Sequence, residues 1–420
     1  MNKTHHLIKP IAPIDVTNAI RRKLDGKTLT EAEMFRIVKA IVDEEIDPIL
    51  TTYFVAAGYS KGFSSSESIS FTKSLVETGE RVSFPPPVVD IHSTGGLCGN
   101  KTSLIVVPLL IAAGMTVPKT SSKAITSPSG TADVMELFAQ IEFPPEEIRA
   151  IVRDVGGCVV WPGEQYFVPA DAKIIQVEQP LLASSYQIVL SSILAKKIAF
   201  SVTTLLVDLP FGSGQKIGTL KEAKKLADGL VKMGAQFGIH VLCELLKDPS
   251  PVGRGVGPVL EARDVLSVLL QKDERPLDLE EKAIKQAVIL LQSVKKMPDA
   301  RDYIRTLLTT GVAWKKMEEM IIRQGGTRQT STHLTVAPHL TRFYSDISGE
   351  VHKIHNNLLS YAARMAGAPG DKRAGIFLER KEKERVEKGE EIFRIYSSSR
   401  QKLDLVKKWI ETQKVVEVLT

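Results

Sequence analysis

The sequence predicts an α/β protein with a small all-α domain, a large α/β domain built on a central, mainly parallel sheet, and a C-terminal α+β domain. Three observations predict it. Residues 12 to 79 carry helical periodicity throughout. From 88 to about 330, short apolar runs alternate with longer helix-period stretches, and beyond that shorter β-like pieces surround one helix. At 420 residues the chain also exceeds what one core serves, since domains run roughly 100 to 200 residues.

The helical part has two start signals. Thr30 with Glu33 forms a T-x-x-E capping pattern ahead of "EAEMFRIVKAIVDEEI", and Ser64 with Glu67 repeats it as S-x-x-E ahead of "SISFTKSLVETG". The part ends at Gly79, where "FPPPVVD" follows; three prolines cannot continue a helix, so a hinge or domain boundary is expected there. "VVDIH", "TVPKT", "TTLLVDLP" and "IHVLCEL" read as strands, and "TLKEAKKLADGLVKMGAQFG" as a helix between two of them. After "RQGGTRQTST" come the strands "GEVHKI" and "EIFRIYS", the helix "NNLLSYAARMAGA", and a charged run "LERKEKERVEKGEE" expected to be a solvated hairpin surface.

Composition narrows the function. With 43% apolar and 25% charged residues the chain is an ordinary globular protein, and a net charge of +6 without dense basic blocks favours small anionic ligands over nucleic acid. Cys98, Cys158 and Cys243 are far apart and form no metal-ligand spacing, which reads as a reduced, cytoplasmic protein without structural zinc. No apolar run approaches the roughly 20 residues of a membrane span, and the N-terminus has no export signal.

Two loops carry anion chemistry. "DIHSTGGLCGNKTSL" runs from a strand through Gly95, Gly96 and Gly99 into a helix near Lys101, offering backbone N–H groups, hydroxyls at Ser93, Thr94, Thr102 and Ser103, and the side chains of His92 and Lys101. It is not a Walker A loop, because Asn100 separates the glycine from the lysine; a plain strand-to-helix turn is the competing reading. "PKTSSKAITSPSGTADVMELF" repeats the pattern, with Lys119, Lys123 and a helix near Thr131. Ser192 and Lys196 stand four apart on one helical face, and "DLPFGSGQK" ends an apolar strand where open α/β sheets bind ligands. "PVGRGVGP" has the wrong glycine spacing for a dinucleotide site.

"DIHSTGG", "KTSL", "SSKAITSPSGTAD", "SSILAKK", "DLPFGSGQK", "PVGRGVGPVLEARDVL" and "AGAPGDKRAGIFL" occur in the order found in the thymidine phosphorylase family, and resemble its AMP phosphorylase branch. The resemblance runs from about residue 12 to the C-terminus. It implies a small domain of 12–79 plus about 180–200, a large domain of 84–178 and 202–330, and a C-terminal domain of 334–420, with a cleft that closes by rigid-body movement. It also implies a homodimer; AMP phosphorylases have an additional N-terminal domain for which this chain has no counterpart.

The activity implied is phosphorolysis of a nucleoside or nucleoside 5′-monophosphate, giving free base and a pentose 1-phosphate or 1,5-bisphosphate, with inorganic phosphate as co-substrate and no cofactor. By resemblance the phosphate set is Ser93, Ser103, Ser121 and Thr131, with Lys123 where thymidine phosphorylases place an Arg; Gly95, Gly96 and Lys101 join it, Lys101 offsetting the charge lost at Ile91. The nucleotide set matches Gly96, Ser122, Lys123, Ala124, Ile125, Thr126, Ser127, Thr131, Ser192 and Lys216. Lys196 and Ser192 meet the base, and His92 is either a proton donor or a structural histidine. Two positions depart from the family: the AMP phosphorylase proton donor, an Asp, aligns with Ser184, and a pyrimidine-contacting Arg aligns with Val177. An anthranilate-type phosphoribosyltransferase and a catalytically degenerate nucleotide-binding protein are the alternatives.

Overall fold

The computed structural model describes residues 12–124, 127–163, 165–178, 185–327 and 334–420. The chain divides into two compact units, residues 1–81 with 162–199 and residues 82–161 with 200–420.

The first unit contains the helices Ile14–Leu24, Glu31–Val42, Pro48–Lys61, Ser65–Glu77, Pro169–Glu178 and Tyr186–Ala199. Both expected capping boxes are present. Thr30 Oγ1 accepts the Glu33 N–H at 3.2 Å while Glu33 Oε2 accepts the Thr30 N–H at 2.9 Å, and Ser64 and Glu67 make the same exchange at 3.2 and 2.8 Å. The free oxygen of Glu67 accepts from buried Lys23 Nζ at 2.7 Å and from the Leu29 N–H at 2.9 Å, so one residue starts a helix and ties another element to it. The rings of Phe54, Phe63 and Phe71 pack together in the core in tilted and edge-on pairs with centroids 5.6 to 5.9 Å apart. Helix Ser65–Glu77 is joined to Tyr186–Ala199 by a buried hydrogen bond of 2.9 Å from Thr72 Oγ1 to Ser191 Oγ.

In the second unit the strands Val89–Ser93, Thr204–Phe211 and His240–Lys247 form a parallel sheet in that order, with Val89 opposite Thr204 and Thr204 opposite His240. Val117–Thr120 pairs in parallel with Gly157–Val160. The four strands expected from the sequence are all there. Gly157–Val160 is additional; it is short, fully buried and lacks the alternation that marks a half-buried strand. Helix Ser103–Ala112 is buried from Ser103 to Ile111, which explains its uniformly apolar sequence. Leu220–Gln236 opens on a further capping box at Thr219 and Glu222.

A separate apolar core, including Val351, Leu359, Ile376, Ile395 and Val406, organises the C-terminal segment. Two antiparallel sheets surround it, one of Gly255–Val256, Gly375–Leu378, Glu391–Ser397 and His339–Tyr344, the other of Arg385–Val386, Gly349–Ile354 and Val416–Leu419. The charged run 378–391 connects two paired strands as a hairpin would, but it is not wholly solvated: Lys381 Nζ donates to the carbonyls of Pro251 and Gly253 and pairs with Asp278 at 2.9 Å. Among the described residues no helix is long and apolar enough to cross a membrane.

Candidate active site

Strand Val89–Ser93 brings His92 and Ser93 to its carboxyl end, and Thr204–Phe211 places Asp208 opposite Ser93. This is the edge at which parallel sheets bind ligands. Asp208 is buried and accepts from Asn100 Nδ2 at 2.7 Å and Lys282 Nζ at 2.8 Å; Lys282 also reaches Asn100 Oδ1 at 3.1 Å. Asn100 Nδ2 and the Gly95 N–H each donate to Ser93 Oγ at 3.3 Å. The loop is thus braced from inside by an ion pair.

Its glycines are required by geometry: Gly95, Gly96 and Gly99 have φ of +81°, +92° and +70°, and a Cβ on Gly99 would sit 1.9 Å from the Val252 carbonyl oxygen. The Cys98 N–H donates to Asn356 Oδ1 at 2.9 Å, whereas those of Gly96 and Leu97 have no hydrogen-bond partner among the described residues.

The second loop leaves strand Val117–Thr120 at Ser121, whose N–H donates to the Val160 carbonyl at 2.9 Å. Asp133, a first-turn carboxylate of helix Thr131–Met135, accepts the N–H groups of Ala124 and Gly130 at 2.7 and 2.8 Å and so clamps both ends of the loop. The two loops meet where Ser103 Oγ and Thr131 Oγ1 approach to 3.3 Å, each the first residue of its helix. Ser121 Oγ donates to the Ser122 carbonyl and Ser127 Oγ to that of Ser129. Lys123 Nζ lies 3.3 Å from Glu136 and 4.4 Å from the Trp161 ring centre. Ile125 and Thr126 lie outside the described residues, as does Ser184.

A cavity of about 230 Å³ opens beside the first loop, bounded by Gly96–Gly99, Ser127–Ser129, Gly214–Lys216 and helix Asn356–Ala366. Lys101 and Lys216 both line it, with opposite fates. Lys101 Nζ is buried against Glu261 at 2.9 Å, so its charge is cancelled within the protein. Lys216 has no ion-pair partner among the described residues; its Nζ lies 3.3 Å from where a Gly95 Cβ would be. Its amine is open to the cavity, yet the surrounding protein desolvates it and lowers its pKa. The amide atoms of neighbouring Gln215 are buried without a hydrogen-bond partner among the described residues.

In the helical unit, the spacing of Ser192 and Lys196 does put them on one face. Lys196 Nζ donates to Ser192 Oγ at 2.8 Å and pairs with Asp171 Oδ2 at 2.6 Å, a carboxylate only 3% exposed. Val177 shares the helix of Asp171.

Sequence reasoning missed Asp171, Lys282 and Glu261, whose roles depend on partners distant in the chain. Asp208 was visible as the first residue of "DLPFGSGQK", a carboxylate at a strand end. Among the described residues no group of three His, Cys, Asp or Glu side chains converges as a metal site.

Residues 17–79 match the helical bundle domain of the glycosyl transferase family, and 85–314 match its a/b domain. Residues 350–416 match the C-terminal domain of pyrimidine nucleoside phosphorylases. The AMP phosphorylase of Methanocaldococcus jannaschii is 39% identical over 91% of this chain and 77% of its own length; that of Thermofilum pendens is 40% identical over 98% and 80%. The anthranilate phosphoribosyltransferase of Thermus thermophilus superposes with a TM-score of 0.58 at 18% identity, over 73% of this chain and 99% of that one, which establishes a shared fold alone. With all three parts matched in order and relatives near 40% identity along most of its length, the chain belongs to the pyrimidine nucleoside phosphorylase family.

Proposed function

We propose that this protein cleaves a nucleoside 5′-monophosphate with inorganic phosphate, releasing the free base and a pentose 1,5-bisphosphate without an organic cofactor. The reaction class, phosphorolysis of a nucleoside or nucleotide by a pentosyltransferase, follows from family membership and from the AMP phosphorylase relatives. The single observation that carries the choice of a monophosphate is Lys216, a cation that faces a cavity without a carboxylate partner among the described residues. A 5′-phosphate supplies the missing negative charge.

In the reaction, a phosphate oxygen bonds to C1′ as the C1′–N bond breaks, and the electron pair of that bond leaves with the base. Orienting phosphate for this attack contributes as much as roughly 7 to 11 kcal/mol when alignment is good. We assign that task to the hydroxyls of Ser93, Ser103, Ser121 and Thr131, with the backbone at Gly95 and Gly96. The approach of Ser103 to Thr131 supports this, because it joins donors from both loops. Lys123 adds positive charge, although Glu136 shares it, and Lys101 acts through the loop it anchors on Glu261.

Ser192 and Lys196 meet the negative charge that develops on the base. Asp171 supports that role by holding the ammonium in place. His92 supplies the proton the base needs. We also propose a cytoplasmic homodimer: the three cysteines are free thiols, and Ile14, Ile49 and Tyr53 form exposed apolar surface on packed helices.

Incubation of the protein with a panel of nucleosides and nucleoside 5′-monophosphates, with and without phosphate, tests the reading. Base release is expected from a monophosphate only when phosphate is present. Release without phosphate, or no release from any substrate, contradicts it.

A further inference from the structure

We propose that Lys282 is a positioning residue for the attacking phosphate: acting through Asn100, it leaves the Ser93 hydroxyl with its proton free for a phosphate oxygen. The inference deepens the phosphorolysis reading above and rests on its assignment of Ser93 to the phosphate.

Lys282 belongs to the helix Leu277–Lys295, which meets two neighbouring strands at successive turns. Lys282 Nζ pairs with Asp208 Oδ2 at 2.8 Å, and four residues on, Gln286 Nε2 donates to Glu244 Oε2 at 3.1 Å. Asp208 and Glu244 are themselves opposite each other in the sheet, so the two contacts fix the rotation of the helix against it. The pair is well buried, with the lysine side chain 12% and the aspartate 1% exposed.

The two ends of an asparagine amide have nearly the same shape, so its partners decide which way it faces. Around Asn100 they decide it firmly. The Lys282 ammonium can only donate, and it lies 3.1 Å from Asn100 Oδ1, which also accepts from Thr102 Oγ1 at 3.3 Å. The Asp208 carboxylate accepts from Asn100 Nδ2 at 2.7 Å. Turning the amide over would set its NH2 against the ammonium and its oxygen against the carboxylate. Asn100 therefore presents an N–H, and not a carbonyl, to Ser93 Oγ at 3.3 Å, and the Gly95 N–H is a second donor to the same oxygen at 3.3 Å.

A serine hydroxyl has two acceptor sites and one proton. With both acceptor sites taken by N–H groups, the proton is what Ser93 has left to offer, and it has no acceptor among the described residues. With the amide reversed, Ser93 would spend that proton on Asn100 Oδ1 inside the loop. A hydroxyl set in advance as a donor suits an anion, and a hydrogen bond to a charged acceptor is the stronger kind.

The experiment measures phosphate KM and monophosphate KM on the full chain for Ser93→Ala, Lys282→Met and the double variant. Ser93→Ala is expected to raise phosphate KM by about 10- to 100-fold and Lys282→Met by about 10-fold, with monophosphate KM near the wild-type value. In the Ser93→Ala background Lys282→Met should add less than about 2-fold, because its effect passes through the hydroxyl already removed. Asn100→Leu, which keeps the Lys282–Asp208 pair, should repeat both results and serves if Lys282→Met does not fold. Equal losses from Lys282→Met or Asn100→Leu in the two backgrounds, or no change in phosphate KM from either, overturn the inference while phosphorolysis stands. Wild-type phosphate KM in Ser93→Ala removes Ser93 from the phosphate site and the inference with it, and a wild type that consumes no phosphate overturns the reading beneath both.

Discussion

Two glycine-rich stretches, residues 95–99 and 253–257, lie against each other, yet only the first borders the cavity with open backbone. In the second, carboxylates close the amides. Asp278 accepts the Gly253 N–H at 3.2 Å, Asp264 accepts those of Arg254 and Gly255 at 2.7 Å each, and Glu261 accepts that of Gly257 at 3.3 Å. Gly255 and Val256 then pair with Phe377 and Ile376 as a strand. In the first stretch the Gly96 and Leu97 N–H groups have no protein partner among the described residues, and the flanking cation Lys216 is unpaired there too. A glycine run therefore declares its chemistry through the destination of its amides. Where acidic side chains take them, the run is a structural joint that repels anions; where none does, it is a place for one.

The largest effect is expected where the two stretches touch. Gly99→Ala forces a Cβ onto the Val252 carbonyl at a positive φ, and thermal or denaturant unfolding should show a loss of about 2 to 5 kcal/mol. Near-native stability in that variant contradicts the close packing of the two runs.

Asp264 gives the next. Burial pushes its carboxyl up to about 6, above the usual range near 3.9, so the folded state holds this proton more tightly than the unfolded chain does. The resulting stabilisation is complete below about pH 4 and is lost as pH rises through about 6. The stability of the wild type relative to Asp264→Asn should fall by on the order of 3 kcal/mol across that window, and a flat difference breaks the assignment.

Lys216→Ala removes the unpaired charge beside the open stretch. It should cut kcat/KM for a monophosphate by about 10- to 100-fold more than for the parent nucleoside. Because its pKa is lowered by burial, monophosphate binding should also begin to weaken at a lower pH than lysine's ordinary titration would give. Equal loss on both substrates contradicts 5′-phosphate recognition.

The smallest change is Asp278→Ala. Its bonds to the Gly253 N–H are long and its carboxylate is 44% exposed, so a loss of about 0.5 to 1 kcal/mol is expected by chemical denaturation. A loss as large as that of Gly99→Ala would mean that Asp278, and not packing, holds the joint.

What the sequence revealed was local. The capping boxes at Thr30 and Ser64 need only residues three apart, and the strands around Val89, Val117, Thr204 and His240 follow from apolar runs between turn residues. Ser103 and Thr131 were marked by ordered family motifs and do meet. Long-range pairing was illegible. Lys101 looked like a phosphate ligand until the fold placed Glu261 on it, Asp171 gave no sign of its hold on Lys196, and Asn356 sat in a helix that nothing connected with the glycine loop. Asp133 read as a helix-dipole carboxylate, and the loop it clamps became visible only once Ala124 and Gly130 were brought to it. Charge cancellation, which separates Lys101 from Lys216, is a property of neighbours in space and leaves no trace in spacing.

Phosphorus NMR of the wild-type protein with a nucleoside 5′-monophosphate and inorganic phosphate tests the central claim most directly. The account predicts that the inorganic phosphate signal declines as two equal signals of a pentose 1,5-bisphosphate grow, with base released in the same amount. Turnover that yields free base with the inorganic phosphate signal unchanged would contradict it.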